Sequence, residues 1–216
     1  MARTVDLRRH TDADGDVLTP DGVLAALDIG RRLEGSYDTM ISSGAQRATQ
    51  TLACFLAGMG RTVSGGVIVN SGFRSGVEER WFAAAREARG KDLEAFRQVD
   101  PELVEKETAL LGGVLREVLE SLPEGGRALV VGHSPTTEAA VLGLTGQIVQ
   151  PIAKGAGVRV IGEMGRYRIE PIERTKRPKL DFRVLPGRSR GQSTRAIKRG
   201  ECDWCPAPWP TTAQTT

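Results

Sequence analysis

Short β-branched runs alternate with amphipathic stretches along roughly the first 172 residues, the pattern of an α/β domain. Residues 4–8 predict a first strand. Thr19-Pro20-Asp21 then puts a capping hydroxyl before a proline at the first helical position, which predicts a helix to about residue 33. Its apolar stripe is expected to comprise Val23, Leu24, Leu27, Ile29 and Leu33. A strand at 37–42 and a helix at 45–59 follow, the latter with Ala48, Leu52, Phe55 and Leu56 on one face. Glycines 65 and 66 precede a third strand ending at Asn70. Residues 71–80 read as a loop and 81–90 as a short helix stopped by Gly90. Asp100-Pro101 repeats the cap-and-proline signal and opens a longer helix to about residue 122. The turn Pro123-Glu124-Gly125-Gly126 leads into the strongest strand, 128–131, and Ser134-Pro135 starts a helix that stops near Gly146. Residues 158–161 and 167–169 are predicted edge strands joined by a glycine-containing turn at 163–165. No internal repeat of 20–50 residues is visible.

The expected fold is therefore a three-layer α/β/α domain with a mainly parallel sheet, helices on both faces and an antiparallel edge near 158–170. From residue 173 the apolar periodicity stops and Arg, Lys, Pro, Gly, Ser and Thr dominate. This predicts a body at 1–172 and a basic, mostly disordered tail at 173–216. At 216 residues, with 39% hydrophobic and 26% charged content, the chain suffices for one well-filled core plus such a tail. The net charge of +3 conceals an asymmetry: residues 1–172 carry 20 basic against 23 acidic residues, and 173–216 carry 10 against 4. The basicity belongs to the tail and says nothing about the body. The tail, with Trp204 and Trp209 among prolines, is the sole hint of RNA or anionic lipid, and a solvated extension is preferred; nucleic acid is not expected as a partner.

No apolar stretch approaches a membrane span, no leader pattern is readable, and three cysteines are too few for a disulfide scaffold. A reducing cytoplasm without membrane contact is the expectation. Cys202-Asp203-Trp204-Cys205 has the spacing of half a zinc site without a second pair to complete it, so no metal is expected. Cys54 falls on an apolar helix face and reads as core.

The chemistry concentrates in three places. The chain has two histidines. His10 follows Arg9 at the end of the first strand, and His133 follows Gly132 at the end of the strongest one. Arg47 starts a helix directly after the small polar run Ser42-Ser43-Gly44. Ligands of open α/β sheets bind outside the carboxyl ends of the strands, where all three motifs fall. Free N–H groups at a helix start favour an anion, and guanidiniums add bidentate forks to its oxygens. Two imidazoles and two guanidiniums so placed suit a phosphoryl-transfer pocket.

Arg9-His10, Ser42-Ser43-x-x-x-Arg47-Ala48-x-Gln50-Thr51 and Gly132-His133-Ser134-Pro135, in that order, resemble the signature of the histidine phosphatase superfamily, the phosphoglycerate mutase-like proteins. Leu18-Thr19-Pro20-Asp21-Gly22 is similar to the start of that family's first helix. The resemblance covers the body and implies a phosphohistidine mechanism without metal or other cofactor. It makes His10 the nucleophile, its second ring nitrogen donating to a backbone carbonyl, and surrounds the equatorial oxygens with Arg9, Arg47 and a protonated His133. The general acid is commonly a glutamate in Leu-x-Glu-Arg after the third strand. Val77-Glu78-Glu79-Arg80 matches best and favours Glu79, with Glu78 behind it and Asp12 third.

Where the family has glycine after Arg-His this chain has Thr11, whose hydroxyl is a candidate donor to the substrate. The short segment from His10 to Leu18, with Asp12, Asp14 and Asp16, argues for a phosphatase over a mutase. Trp81 and Phe82 are candidates for the substrate mouth or for packing beneath a small helical insertion. The expected partner is a phosphorylated small molecule or a phosphohistidine protein. Alternatives are a phosphomutase of the same superfamily and a non-catalytic phospholigand-binding scaffold; the oligomeric state is left open.

Overall fold

A computed structural model of the chain describes residues 1–173; the tail expectations, and those for Cys202 and Cys205, lie outside the described residues. The sheet is organised around a strand that needs both faces covered. In β6 (Arg127–Gly132) Ala128, Leu129, Val130 and Val131 are all buried, the continuous apolar run of a strand between two helical layers. Beside it lie β1 (Arg3–Arg9) and β4 (Thr39–Ser42), both parallel to it, and β5 (Val67–Val69) lies outside β4. On the other side of β1, β7 (Gly157–Glu163) and β8 (Arg166–Ile172) run antiparallel, giving the order β5-β4-β6-β1-β7-β8. Of the two predicted edge strands, β8 is an edge; β7 is internal, its other side paired with β1. A small antiparallel ribbon, β2 (Ala13–Asp14) with β3 (Val17–Leu18), fills the segment after β1.

Helices α1 (Pro20–Arg31) and α2 (Gln46–Met59) pack together over Met40, Leu129 and Val131 on one face. Thr19 caps α1, its Oγ1 accepting from Gly22 N at 3.0 Å. The buried side of α1 is Gly22, Ala25, Ala26, Ile29 and Gly30; of the predicted stripe Ile29 and Leu33 are buried, Val23 and Leu27 are half-buried, and Leu24 is exposed. Close approach of α2 requires the small residues, because a Cβ on Gly30 would lie 2.5 Å from the Phe55 carbonyl. On the opposite face α5 (Pro101–Ser121) and α6 (Thr136–Thr145) cover Val5, Leu7, Ile41, Ala128 and Val130. Each buried side chain of Val or Leu size in these two cores contributes about 1.5–3 kcal/mol.

Between β5 and α5 stand α3 (Glu78–Glu87) and α4 (Leu93–Val99). The sequence reading missed α4 and started α3 three residues late. Asp92 caps α4 through Ala95 N, and Trp81 meets Phe96 edge-on at 5.9 Å, so the two short helices are held by one aromatic pair. No helix among the described residues is long and apolar enough to cross a membrane.

Candidate active site

Sheet register brings the two histidines together. β1 and β6 are parallel with Arg9 opposite Gly132, so the next residues, His10 and His133, leave the sheet abreast. His10 N donates to Gly132 O at 3.0 Å, and the two rings stand 5.3 Å apart between centroids. The His10 Nδ1 lies 2.7 Å from the Thr11 carbonyl. A carbonyl only accepts, so Nδ1 carries the proton and Nε2 keeps its lone pair. Burial first, then the charges of Arg47 and Arg9, hold the His10 imidazole down to about 4, which keeps it neutral and nucleophilic near pH 7.

β4 ends one residue before Ser43, whose N donates to Val131 O and whose Oγ lies 2.8 Å from His133 Nε2. Arg47 Nε donates to the other ring nitrogen, Nδ1, at 3.2 Å. A guanidinium cannot accept, so Nδ1 is unprotonated and Nε2–H donates to Ser43. Burial and the neighbouring Arg47 push the His133 imidazole down to about 3. The expectation of a protonated His133 is thus corrected for the unliganded pocket: buried beside a guanidinium, the ring is neutral.

Arg47 is held from three sides. Its NH1 meets Asp16 Oδ1 at 2.8 Å, and the Asp16 carboxylate also accepts from the backbone N–H of Gln46 and Arg47. The N-cap of α2 is Ala45, which offers no capping side chain. Asp16, 30 residues upstream, supplies the cap instead and places an anion at the positive end of the helix. Gln50 accepts from Leu18 N at 2.9 Å, and Thr51 Oγ1 accepts from Thr11 N at 3.2 Å. The Gln50-Thr51 part of the motif therefore ties the segment after His10 onto α2. Asp12, the third acid candidate, has Lys154 Nζ 3.4 Å from its Oδ1.

Arg9 NH1 donates to Ile152 O at 2.9 Å, while Ile152 N donates to Glu138 Oε1 at 2.8 Å. Ser134 Oγ donates to the same oxygen. Glu138, 2% exposed, so joins the start of α6 to the strap that holds Arg9.

These groups line a cavity of about 720 Å³, the size of a small-molecule site. Arg9, His10, Asp16, Arg47 and His133 form its polar floor, and Trp81, Phe82, Ala85 and Phe96 a largely apolar wall. Of the two aromatics, Trp81 is buried against Phe96 and Phe82 is exposed, and both line the cavity. Glu78 lines it and Glu79 does not, while both border a separate surface hollow along 74–80. The preference for Glu79 is corrected accordingly. Both carboxylates lie in the first turn of α3, not in a loop, and one residue along a helix turns the side chain by about 100°. Glu78 Oε1 accepts from Arg74 Nε at 2.7 Å. Thr11 is also corrected as a substrate donor. It is 1% exposed, its Oγ1 is 3.3 Å from Thr51 Oγ1, and it is absent from the cavity lining.

Sequence reasoning missed Asp16 as a cap, Ser43 as the partner of His133, and Glu138. The first had a legible signal, since alanine is among the poorest N-caps and a helix start aimed at an anion pocket needs some acceptor. Among the described residues no three His, Cys, Asp or Glu side chains converge as a metal site requires.

No family model and no curated protein matches the sequence. Solved structures do match the fold. A phosphoserine phosphatase from Entamoeba histolytica, in complex with 3-phosphoglyceric acid, aligns with a TM-score of 0.61 at 15% identity over 79% of this chain and 96% of its own. A phosphoglycerate mutase from Bacillus anthracis gives 0.60 at 15% identity over 79% and 92%. A mycobacterial glucosyl-3-phosphoglycerate phosphatase gives 0.56 at 17% over 80% and 99%. With the parallel sheet, the two helical layers and the paired strand ends already in place, the described chain has the phosphoglycerate mutase-like fold.

Proposed function

We propose that this protein is a phosphatase of the histidine phosphatase superfamily that hydrolyses a phosphate monoester or phosphoramidate through a phosphohistidine on His10. The observation that carries the reading is the convergence of His10, with a fixed tautomer, on a floor that also holds His133, Arg9 and Arg47.

In the first step the Nε2 lone pair of His10 attacks phosphorus in line, an N–P bond forms and the P–O or P–N bond to the leaving group breaks. Glu78 gives the leaving atom its proton. In the second step Glu78 takes a proton from water, the oxygen attacks phosphorus, and the N–P bond breaks to release inorganic phosphate and neutral His10. Arg9 and Arg47 donate to the equatorial oxygens throughout. The arriving dianion favours a positive charge on His133, so protonation of that ring belongs to the loaded pocket. Each such preorganised donor is worth about 2.7–4 kcal/mol of transition-state stabilisation. The apolar wall suits substrates whose phosphoryl group sits on a small hydrophobic body, and the reading requires no metal.

The test is hydrolysis of an aryl phosphate by the wild type and by His10→Ala, with a chelator present, alongside rapid-quench trapping of labelled enzyme. Turnover by the wild type, an acid-labile and alkali-stable label, and loss of both in the variant are expected. Undiminished turnover in His10→Ala would end this mechanism. A wild type that binds phosphate esters without turning them over would instead make the chain a phospholigand-binding scaffold.

A further inference from the structure

The sheet register exposes a second cationic hollow, away from the histidines. On the face covered by α1 and α2, β6 presents Leu129 and Val131, and the registered positions on β1 are Asp6 and Arg8. Across the antiparallel pair, β7 presents Arg159 opposite Asp6. Where the apolar positions give way to charged ones, a cavity of about 250 Å³ opens, reaching from Asp6, Arg8 and Arg159 to Tyr37, Arg127 and Gly35. Arg32 and Glu34 also stand at its lining; Arg32 is already paired with Asp28 at 2.7 Å.

The charges inside do not balance. Asp6, 1% exposed, meets Arg127 at 2.5 Å and Arg159 at 2.7 Å and accepts from Tyr37 Oη at 2.7 Å. Arg8, 8% exposed, has no carboxylate: its NH1 donates to the Gly155 carbonyl at 2.9 Å. Among the described residues three guanidiniums therefore surround one buried carboxylate; Glu34 in the lining is exposed, and Glu170 on β8 stands opposite Arg159. Arg8 Nε and Arg127 Nε are buried with no hydrogen-bond partner among the described residues. Burying surplus charge and leaving donors unmade are both costly. A structural ion-pair network would have stopped at neutrality. The position of Gly35 adds a local reason for the room: at φ +76° it suits glycine, and a Cβ there would stand 3.0 Å from Arg127 NH1.

We propose that this hollow is a second anion site, selective for a small tetrahedral dianion: sulfate, inorganic phosphate or the phosphoryl head of a small metabolite. Arg8, Arg127 and Arg159 supply the charge-assisted donors, and the volume lies below that of an ordinary organic-ligand pocket. Its lining holds no imidazole, and Asp6 and Tyr37 are engaged in ion pairs and a hydrogen bond, so it binds and does not react. It adjoins the candidate active site through one strap. Gly155 O holds Arg8, Gly155 N bonds the carbonyls of Arg9 and His10, and Ile152 O holds Arg9. Occupancy of the hollow thus bears on the segment that positions Arg9 and His10.

The site is tested by NMR titration of the full chain with sodium sulfate, and separately with methyl phosphate, sodium chloride keeping ionic strength constant. The amides of Gly35, Tyr37, Arg127 and Arg159 are followed beside those of His10 and His133. Saturable shifts in the first group are expected, weakened about tenfold in Arg159→Gln, the loss of roughly 1.4 kcal/mol. Equal affinity for the two anions identifies the bare dianion as the ligand, and tighter methyl phosphate identifies an organic phosphate. Linear or absent shifts in the wild type, or affinity unchanged in the variant, would overturn the proposal. The wild-type titration decides even if the variant fails to fold. The two groups of amides report separately, so the outcome is independent of what the His10 pocket does.

Discussion

Two arginine-lined hollows are both built on β1 and β6, and they differ in how their charge is organised. At the carboxyl ends of β1 and β6, Arg9 and Arg47 accompany two neutral imidazoles, and the balancing carboxylate, Asp16, is half exposed on a short ribbon. On the face of the sheet, Arg8, Arg127 and Arg159 surround Asp6, a carboxylate buried in the middle of a strand. An exposed carboxylate on a ribbon can yield its place to an incoming anion at small cost; a buried one with three partners cannot. The first hollow therefore pairs a cationic floor with a replaceable counter-ion and the proposed nucleophile, His10. The second pairs a surplus of charge with a permanent one. Cationic charge alone makes a place to bind, and the imidazole lone pair at the strand end makes the difference between binding and bond making.

That contrast can be broken most sharply by removing the nucleophile. His10→Ala is expected to lose at least about a thousandfold in turnover of an aryl phosphate, while sulfate binding at the Asp6 hollow stays as in the wild type. Asp6→Ala reverses the pattern. Removing one partner of a buried ion pair leaves three guanidiniums uncompensated, a loss of about 3–5 kcal/mol in urea unfolding, part of which sulfate restores by mass action. Loss of activity per folded molecule as large as that of His10→Ala would mean the two hollows are one functional unit. Arg47→Ala lowers kcat by about 10²–10³, and steady-state kinetics should show KM moving less.

Finer distinctions follow at the acid. Glu78→Gln lowers turnover about a hundredfold for esters with poor leaving groups and much less for activated aryl esters. Glu79→Gln leaves both nearly unchanged, and the reverse order would restore the original preference. A further distinction concerns pH. Unfolded imidazoles take protons near 6.5, but in the folded pocket His10 does so near 4 and His133 near 3. Between those values the unfolded state binds more protons, so stability is full above pH 6.5 and declines as pH falls toward 4. Urea midpoints measured from pH 7.5 to 4.5 should show this slope, and His133→Gln should flatten it.

Much of the fold could be read from local patterns. Thr19-Pro20 and Asp100-Pro101 place two helix starts within a residue because the capping hydroxyl or carboxylate and the fixed φ of proline act over one turn. α4 escaped because its seven residues are too short for a periodicity to show; it is held by Trp81, a contact made outside its own sequence. At the site, the three motifs identified the right strand ends. The choice between Glu78 and Glu79 was not legible, because only the start of the helix at Glu78 decides which of two adjacent carboxylates borders the cavity. Thr11 misled for a similar reason: its neighbour Thr51 lies 40 residues away on α2.

The amino-acid order alone determined which segments become strands and helices, that the body is α/β, and which imidazoles and guanidiniums close those strands, since each depends on residues within a few positions of one another. Only the folded sheet decided that Arg9 stands level with Gly132, that Asp16 rather than a local residue caps α2, and that Asp6 stands between Arg127 and Arg159. Those outcomes are set by register and layer coverage, which arise when strands distant in the chain share hydrogen bonds, and no neighbouring residue encodes them.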